Sequence, residues 1–300
     1  MKKMLFGFAI LLITALPLHG KTMPLMQVIN LQPSGTYFLF CHSLDANRGQ
    51  ARYYTRAALG EKQRSWYLLP HSVVTFNFPD AALNPRKSTA TVTTFGQGKE
   101  LHCITNILQQ ATEGPCADRS CVMIGVSRGA VAALNYCALF KPATVRALIL
   151  ESPFDHIDNA VQQRTKTSYF SWIPGGKYIG NALFDYLYPA HNRQGIQPID
   201  VAPKLPRNLP ILLVHAKNDS IVPFSCAENL VNQLKKSGHT NLYFLPIQDG
   251  NHAHLNTGAQ ATLYQEVTHA FLATFGLAHD PILAAAGMPQ LATFKVTATP

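Results

Sequence analysis

Ser127 stands between Gly125 and Gly129 in residues 121–129, CVMIGVSRG, a Gly-x-Ser-x-Gly spacing that can turn a hydroxyl into a nucleophile. The chemistry needs both glycines. A serine held in a tight strand-to-helix bend has a strained backbone, and a side chain at either flank would collide with the neighbouring strand or helix. The hydroxyl is thereby pushed up above the sheet. It is a weak nucleophile at neutral pH, so a base must take its proton as a carbonyl is attacked and return it to the leaving group. Two later loops offer partners. Residues 209–223, LPILLVHAKNDSIVP, carry Asp219, and residues 242–254, LYFLPIQDGNHAH, carry Asp249, His252 and His254. His252 is the expected base, with His254 as rival. Asp219 is the expected carboxylate, holding the imidazole in its useful tautomer and stabilising the imidazolium that forms. Asp155, which ends ESPFD, is the rival acid, and Asp249 reads as a turn residue.

The spacing alone is weak, since a chain of this length should hold about 0.1 such matches by accident. Its surroundings decide. Val122, Met123 and Ile124 form an apolar run suited to a central parallel strand, and residues 128–140 carry a helix-period apolar stripe. Strands are expected at 36–42, 73–78 and 145–151, and helices at 98–111, 224–238 and 258–276. Strand and helix alternate, which predicts an α/β fold with a mostly parallel sheet wound on both faces.

With Ser127, Asp219 and His252 in that chain order, and with GVSRGA and HAKNDSIVP as the sharpest motifs, the sequence resembles the α/β-hydrolase superfamily. More narrowly it is similar to prolyl-oligopeptidase-like and serine-aminopeptidase-like single-domain serine hydrolases, over about residues 35–276. The resemblance implies an eight-stranded, mostly parallel sheet and an acyl-enzyme mechanism. It implies two oxyanion donors, the backbone N–H of Arg128 and one from the loop FCHSLDANRG. There the family's usual His-Gly-x becomes His42, Ser43 and Leu44; Leu44 occupies the donor position, Ser43 is the alternative, and Ser43 and Asp45 could instead cap the next helix. It also implies a helical lid at about residues 156–208, where Tyr169, Phe170, Trp172, Tyr178, Phe184, Tyr186 and Tyr188 cluster over an expected apolar pocket. The substrate would be a small carboxylic ester or a peptide, since the fold supplies machinery and the pocket supplies choice. The altered His-Ser-Leu loop is the one feature pointing to the alternative, an inactive hydrolase fold kept as a binding or scaffold protein.

At 300 residues, 47% hydrophobic and 14% charged, the chain suits one domain with a large core. Its net charge is +9, or +7 once Lys2 and Lys3 are removed, and its basic residues are scattered, so no nucleic-acid partner is expected. Those two lysines precede an uncharged stretch, residues 4–18, shorter than the ~20 residues that span a bilayer. Residues 1–20 therefore read as a secretory signal, residues 21–276 as the catalytic domain and 277–300 as a tail of unassigned placement. The expected location is periplasmic or secreted, with an uncleaved anchor as the alternative, and YFSWIPGGKYIG could touch a membrane surface. Six cysteines would then meet an oxidising compartment. Cys41 and Cys137 read as buried hydrophobes, whereas Cys116, in TEGPCADRS, is the best disulfide candidate, with Cys103 or Cys121 as partner. No cysteine or histidine spacing suits zinc, so neither metal nor other cofactor is expected. Oligomeric state is not legible.

Overall fold

The computed structural model describes residues 11–12, 26–29, 35–55, 72–81, 92–166 and 176–297. Its strands are β1 (Leu11–Leu12), β2 (Gln27–Ile29), β3 (Thr36–Cys41), β4 (Val73–Thr75), β5 (Ser120–Val126), β6 (Val145–Glu151), β7 (Ile211–Ala216) and β8 (Leu242–Ile247). They form one sheet in the order β1-β2-β4-β3-β5-β6-β7-β8. Among the described strands, the β1–β2 and β2–β4 pairs are antiparallel and the others parallel. This is the α/β-hydrolase fold. The two-residue β1 lies in the segment expected to be a signal, so removing residues 1–20 would leave seven strands.

The helices are α1 (Arg52–Thr55), α2 (Gly98–Thr112), α3 (Arg128–Phe140), α4 (Ile157–Lys166), α5 (Gly176–Leu187), α6 (Pro198–Val201), α7 (Phe224–Lys236), α8 (Ala261–Thr274) and α9 (Pro281–Thr293). The strands alternate their side chains between two cores, as a period of two requires. Leu39, Met123, Leu148 and Leu213 pack with α2, α3 and α7 on one face. Phe40, Ile124, Ile149 and Val214 pack with Tyr54, α8 and Leu291 on the other. Both faces being covered, the central strands carry near-continuous apolar runs.

The tail, unassigned from sequence, docks. Asp280 caps α9 by accepting from the Ile282 and Leu283 N–H groups. At Gly287 the two helices touch so closely that an added Cβ would fall on the Glu266 carbonyl group. Beyond α9, Phe244 N–H donates to the Phe294 carbonyl and Val296 N–H to that of Leu242, extending the edge beside β8.

The disulfide expectation is corrected: Cys41, Cys103, Cys116, Cys121, Cys137 and Cys226 are all free thiols and all buried. Cys116 looked like a loop position, but its side chain turns into the core beside α2 and β5. Burial pushes the thiols of Cys103 and Cys121 up to about 12. They are held as inert protonated hydrophobes.

Candidate active site

β5 ends at Val126 and α3 begins at Arg128, leaving Ser127 alone in the bend with φ 54° and ψ −119°. A left-handed backbone at a non-glycine residue costs about 1–3 kcal/mol and persists only where neighbours over-determine it. Here they do. Ser127 N–H donates to the Glu151 carbonyl at 2.7 Å, and the Ser127 carbonyl accepts from Ala130 and Val131 N–H. A Cβ on Gly125 would come within 2.5 Å of the Ala130 backbone, and one on Gly129 within 2.5 Å of the Cys41 carbonyl carbon. The glycines let the strand, the helix and the β3 loop meet at one point.

The loops after β7 and β8 bring the partners. Ser127 Oγ lies 2.7 Å from His252 Nε2, and His252 Nδ1 lies 2.8 Å from Asp219 Oδ2. An ionised carboxylate only accepts, so the imidazole proton sits on Nδ1 and Nε2 is open to the serine hydroxyl. Asp219 is fixed through its other oxygen: Oδ1 accepts from Ile221 N–H at 2.8 Å and Val222 N–H at 2.9 Å. Burial alone would push this carboxyl up, but hydrogen bonds from His215 and His252 outweigh it and hold Asp219 well below the usual carboxylate range.

The rival residues do other things. Asp155 Oδ1 accepts from His156 N–H and Asn159 Nδ2, and its Oδ2 accepts from Asn229 Nδ2, bracing the β6 loop to α4 and α7. Asp249 is exposed in a turn, its N–H donating to Gln260 Oε1. His254 adopts φ 55°, donates its N–H to the Tyr54 hydroxyl and stacks on the Tyr54 ring. Burial, and then the His252 ring, lower its basicity.

Some site residues carry no sequence motif. Glu151, the last residue of β6, is fully buried beneath the histidine loop, accepting from the Tyr54 hydroxyl at 2.8 Å and Leu255 N–H at 3.2 Å. Burial raises its carboxyl above the usual range despite those donors. A glutamate closing the apolar run VRALILE was the available signal. His215 is buried, with Nε2 3.0 Å from the Val222 carbonyl and 3.4 Å from Asp219 Oδ2.

The loop after β3 differs from the helix-cap alternative. Asn47, neither Ser43 nor Asp45, caps the following 3-10 turn (Arg48–Ala51), accepting from Gly49 N–H. Ser43 N–H donates to Gln50 Oε1 at 2.8 Å, and Gln50 Nε2 donates to Ser43 Oγ at 2.9 Å. Ser43, Leu44 and Arg128 all border the same cavity as Ser127 and His252.

That cavity, about 370 Å³, lies between the sheet and the helices of the insertion. Its walls are largely apolar, with Phe95, Phe154, Ile157, Val161, Phe184 and Tyr188 prominent. The expected aromatic cluster divides. Phe184 and Tyr188 face the cavity, Tyr178 and Tyr186 are 77% and 81% exposed, and Tyr169, Phe170 and Trp172 lie outside the described residues. Gly180 sets the spacing of the two insertion helices, because a Cβ there would land on Thr165 Oγ1 of α4.

A model of the prolyl oligopeptidase family matches residues 103–277. Among curated proteins, the uncharacterised YqkD of Bacillus subtilis (strain 168) is 29% identical over 149 residues, 49% of this chain and 46% of YqkD. The chain therefore aligns with just under half the length of that relative. An esterase of Pyrococcus furiosus superposes with a TM-score of 0.60 at 18% identity, covering 84% of this chain and 87% of that one. The acylaminoacyl peptidase of Pyrococcus horikoshii gives 0.57 at 15% identity, covering 84% and 39%. An esterase of Exiguobacterium antarcticum gives 0.53 at 15%, covering 84% and 96%. At such identities these likenesses establish the fold.

Proposed function

The chain belongs to the prolyl oligopeptidase family of serine hydrolases, and from that premise we propose that it is an exported enzyme cleaving a carboxylic ester, or as nearest variant a peptide bond, through an acyl-enzyme. One observation carries the reading: the continuous hydrogen-bonded line from Ser127 Oγ through the His252 ring to Asp219.

The steps follow from that line. His252 Nε2 takes the hydroxyl proton as Ser127 Oγ bonds to the substrate carbonyl carbon, whose oxygen becomes an oxyanion. Asp219 stabilises the imidazolium without taking the proton. The Arg128 N–H, at the positive end of α3, and the Leu44 N–H are the assigned oxyanion donors. Ser43 N–H is already committed to Gln50, which favours Leu44 over it. The tetrahedral adduct collapses as the Nε2 proton passes to the leaving alkoxide or amine, which departs and leaves the acyl group on Oγ. Water then gives a proton to His252 and its oxygen to the acyl carbon. Collapse of the second adduct releases the carboxylic acid and returns the proton to Oγ.

Export is supported by Lys2, Lys3 and the uncharged residues 4–18 that follow. Labelling with a fluorophosphonate probe tests the catalytic reading: modification on Ser127 that vanishes in Ser127→Ala supports it. Folded protein that takes no label would instead favour the scaffold alternative.

A further inference from the structure

The arginine that follows the nucleophile has a side chain the mechanism above does not use. Arg128 is 1% exposed. Its Nη1 meets Asp80 Oδ2 and lies 3.5 Å from Glu100 Oε1, both carboxylates buried, while its Cζ sits 4.8 Å over the Phe78 ring. Its Nη2 is 3.3 Å from the Ser43 carbonyl oxygen and 3.3 Å from His42 Nδ1.

The tautomer of His42 resolves that last pair. Phe78 N–H donates to His42 Nε2 at 3.0 Å, so Nε2 is the bare nitrogen and the ring proton is on Nδ1, 2.8 Å from the Ser43 carbonyl. Burial, helped by the Arg128 charge, pushes His42 down to about 3, keeping it in this neutral form. The Ser43 carbonyl thus accepts from both His42 Nδ1–H and Arg128 Nη2–H. One peptide unit joins that carbonyl to the Leu44 N–H. The unit is planar and trans, so its N–H and C=O point in opposite directions. A carbonyl pulled down onto the guanidinium turns the Leu44 N–H the other way, away from the buried cluster. A charge-assisted bond on the carbonyl also polarises the N–H as a donor.

We infer that the Arg128 guanidinium, braced by Asp80 and Glu100, is a positioning residue that aims and polarises the Leu44 N–H as oxyanion donor. The inference rests on the serine-hydrolase reading above. It explains how the loop works without the glycine of the usual His-Gly-x pattern: Gln50 and the Arg128–His42 pair hold Ser43 from both sides, so the backbone needs no extra freedom.

The test uses the full chain and three proteins: wild type, Asp80→Asn, and the triple variant Arg128→Gln, Asp80→Asn, Glu100→Gln, which strands no buried charge. Turnover of 4-nitrophenyl butyrate is read beside binding of an alkyl trifluoromethyl ketone, followed by fluorine NMR. This ketone forms a hemiketal oxyanion on Ser127 without requiring turnover. In the triple variant kcat should fall about 100-fold, the loss typical of one oxyanion donor, with KM within about twofold. Ketone affinity should fall in parallel. Asp80→Asn, which leaves Glu100 opposite the arginine, should show the same pattern at about 10-fold. It decides the matter should the triple variant not fold. Unchanged kcat and ketone affinity in a folded variant, or a kcat loss with ketone affinity intact, would overturn the role of Arg128. A wild type that neither turns over ester nor forms the hemiketal would instead sink the hydrolase reading.

Discussion

Asp219 and Asp155 are both buried carboxylates on loops following central strands, yet their hydrogen bonds separate them. Asp219 gives one oxygen to two backbone N–H groups and the other to His252, whereas Asp155 is saturated by His156, Asn159 and Asn229. Asp219→Asn should therefore present the wrong group to Nδ1 and favour the wrong imidazole tautomer, lowering kcat about 10⁴-fold. Asp155→Asn should leave kcat within a few-fold, because its contacts brace α4 and α7. Steady-state kinetics on a nitrophenyl ester compare the two, and the opposite ranking would reverse the assignment.

At the scale of elements, α4 and α5 wall the cavity that Ser127 borders. Phe184 and Tyr188 line the cavity wall, Tyr188 meeting Phe95 edge-on and Phe184 packing at a tilt against both. Phe184→Ala should enlarge the apolar volume and move the preferred nitrophenyl ester toward longer acyl chains, read as a shift in the maximum of kcat/KM across a chain-length series. An unchanged profile would remove the insertion from substrate selection. On the far side of the sheet, α9 rests on α8 through Gly287. Gly287→Ala should cost about 1–3 kcal/mol through forced separation of the two helices. Thermal melting should show a loss of several degrees while Ser127 labelling persists.

For the whole molecule, pH acts through buried carboxyl groups whose pKa values are shifted in opposite directions. Asp219 has a depressed folded pKa, so its contribution is complete above the ordinary carboxylate range, about pH 4, and is lost as pH falls through the depressed value. Glu151 has a raised one. The folded state then holds that proton more tightly than the unfolded chain, and stability declines as pH rises from about 4 through the raised value. Glu151→Gln should flatten that decline in Tm measured from about pH 4 to 8, with Glu100, also raised by burial, keeping part of the slope. An unaltered slope would show that Glu151 does not titrate across this interval. The six buried thiols belong to the same scale. Native protein should not react with a thiol-specific disulfide reagent, whereas guanidinium-unfolded protein should release six equivalents. Fewer after unfolding would reveal a disulfide.

Much of this was legible in the chain. Local pattern was enough for β6 and α3, whose observed bounds match the expected ones, because an apolar strand run and a helix-period stripe are local properties. The loops holding Ser127, Asp219 and His252 were also legible, since each follows a recognisable strand. The free state of Cys116, the Asn47 cap and the seating of α9 were not. Nor was the cluster of His42, Asp80, Glu100 and Arg128, whose members come from two loops and two helices up to 86 positions apart. Sequence determines which residues can bend, donate, accept or ionise, because those properties reside in single side chains and their near neighbours. Only the packed sheet decides which of them meet, because a hydrogen bond depends on distances that closing the chain on itself creates.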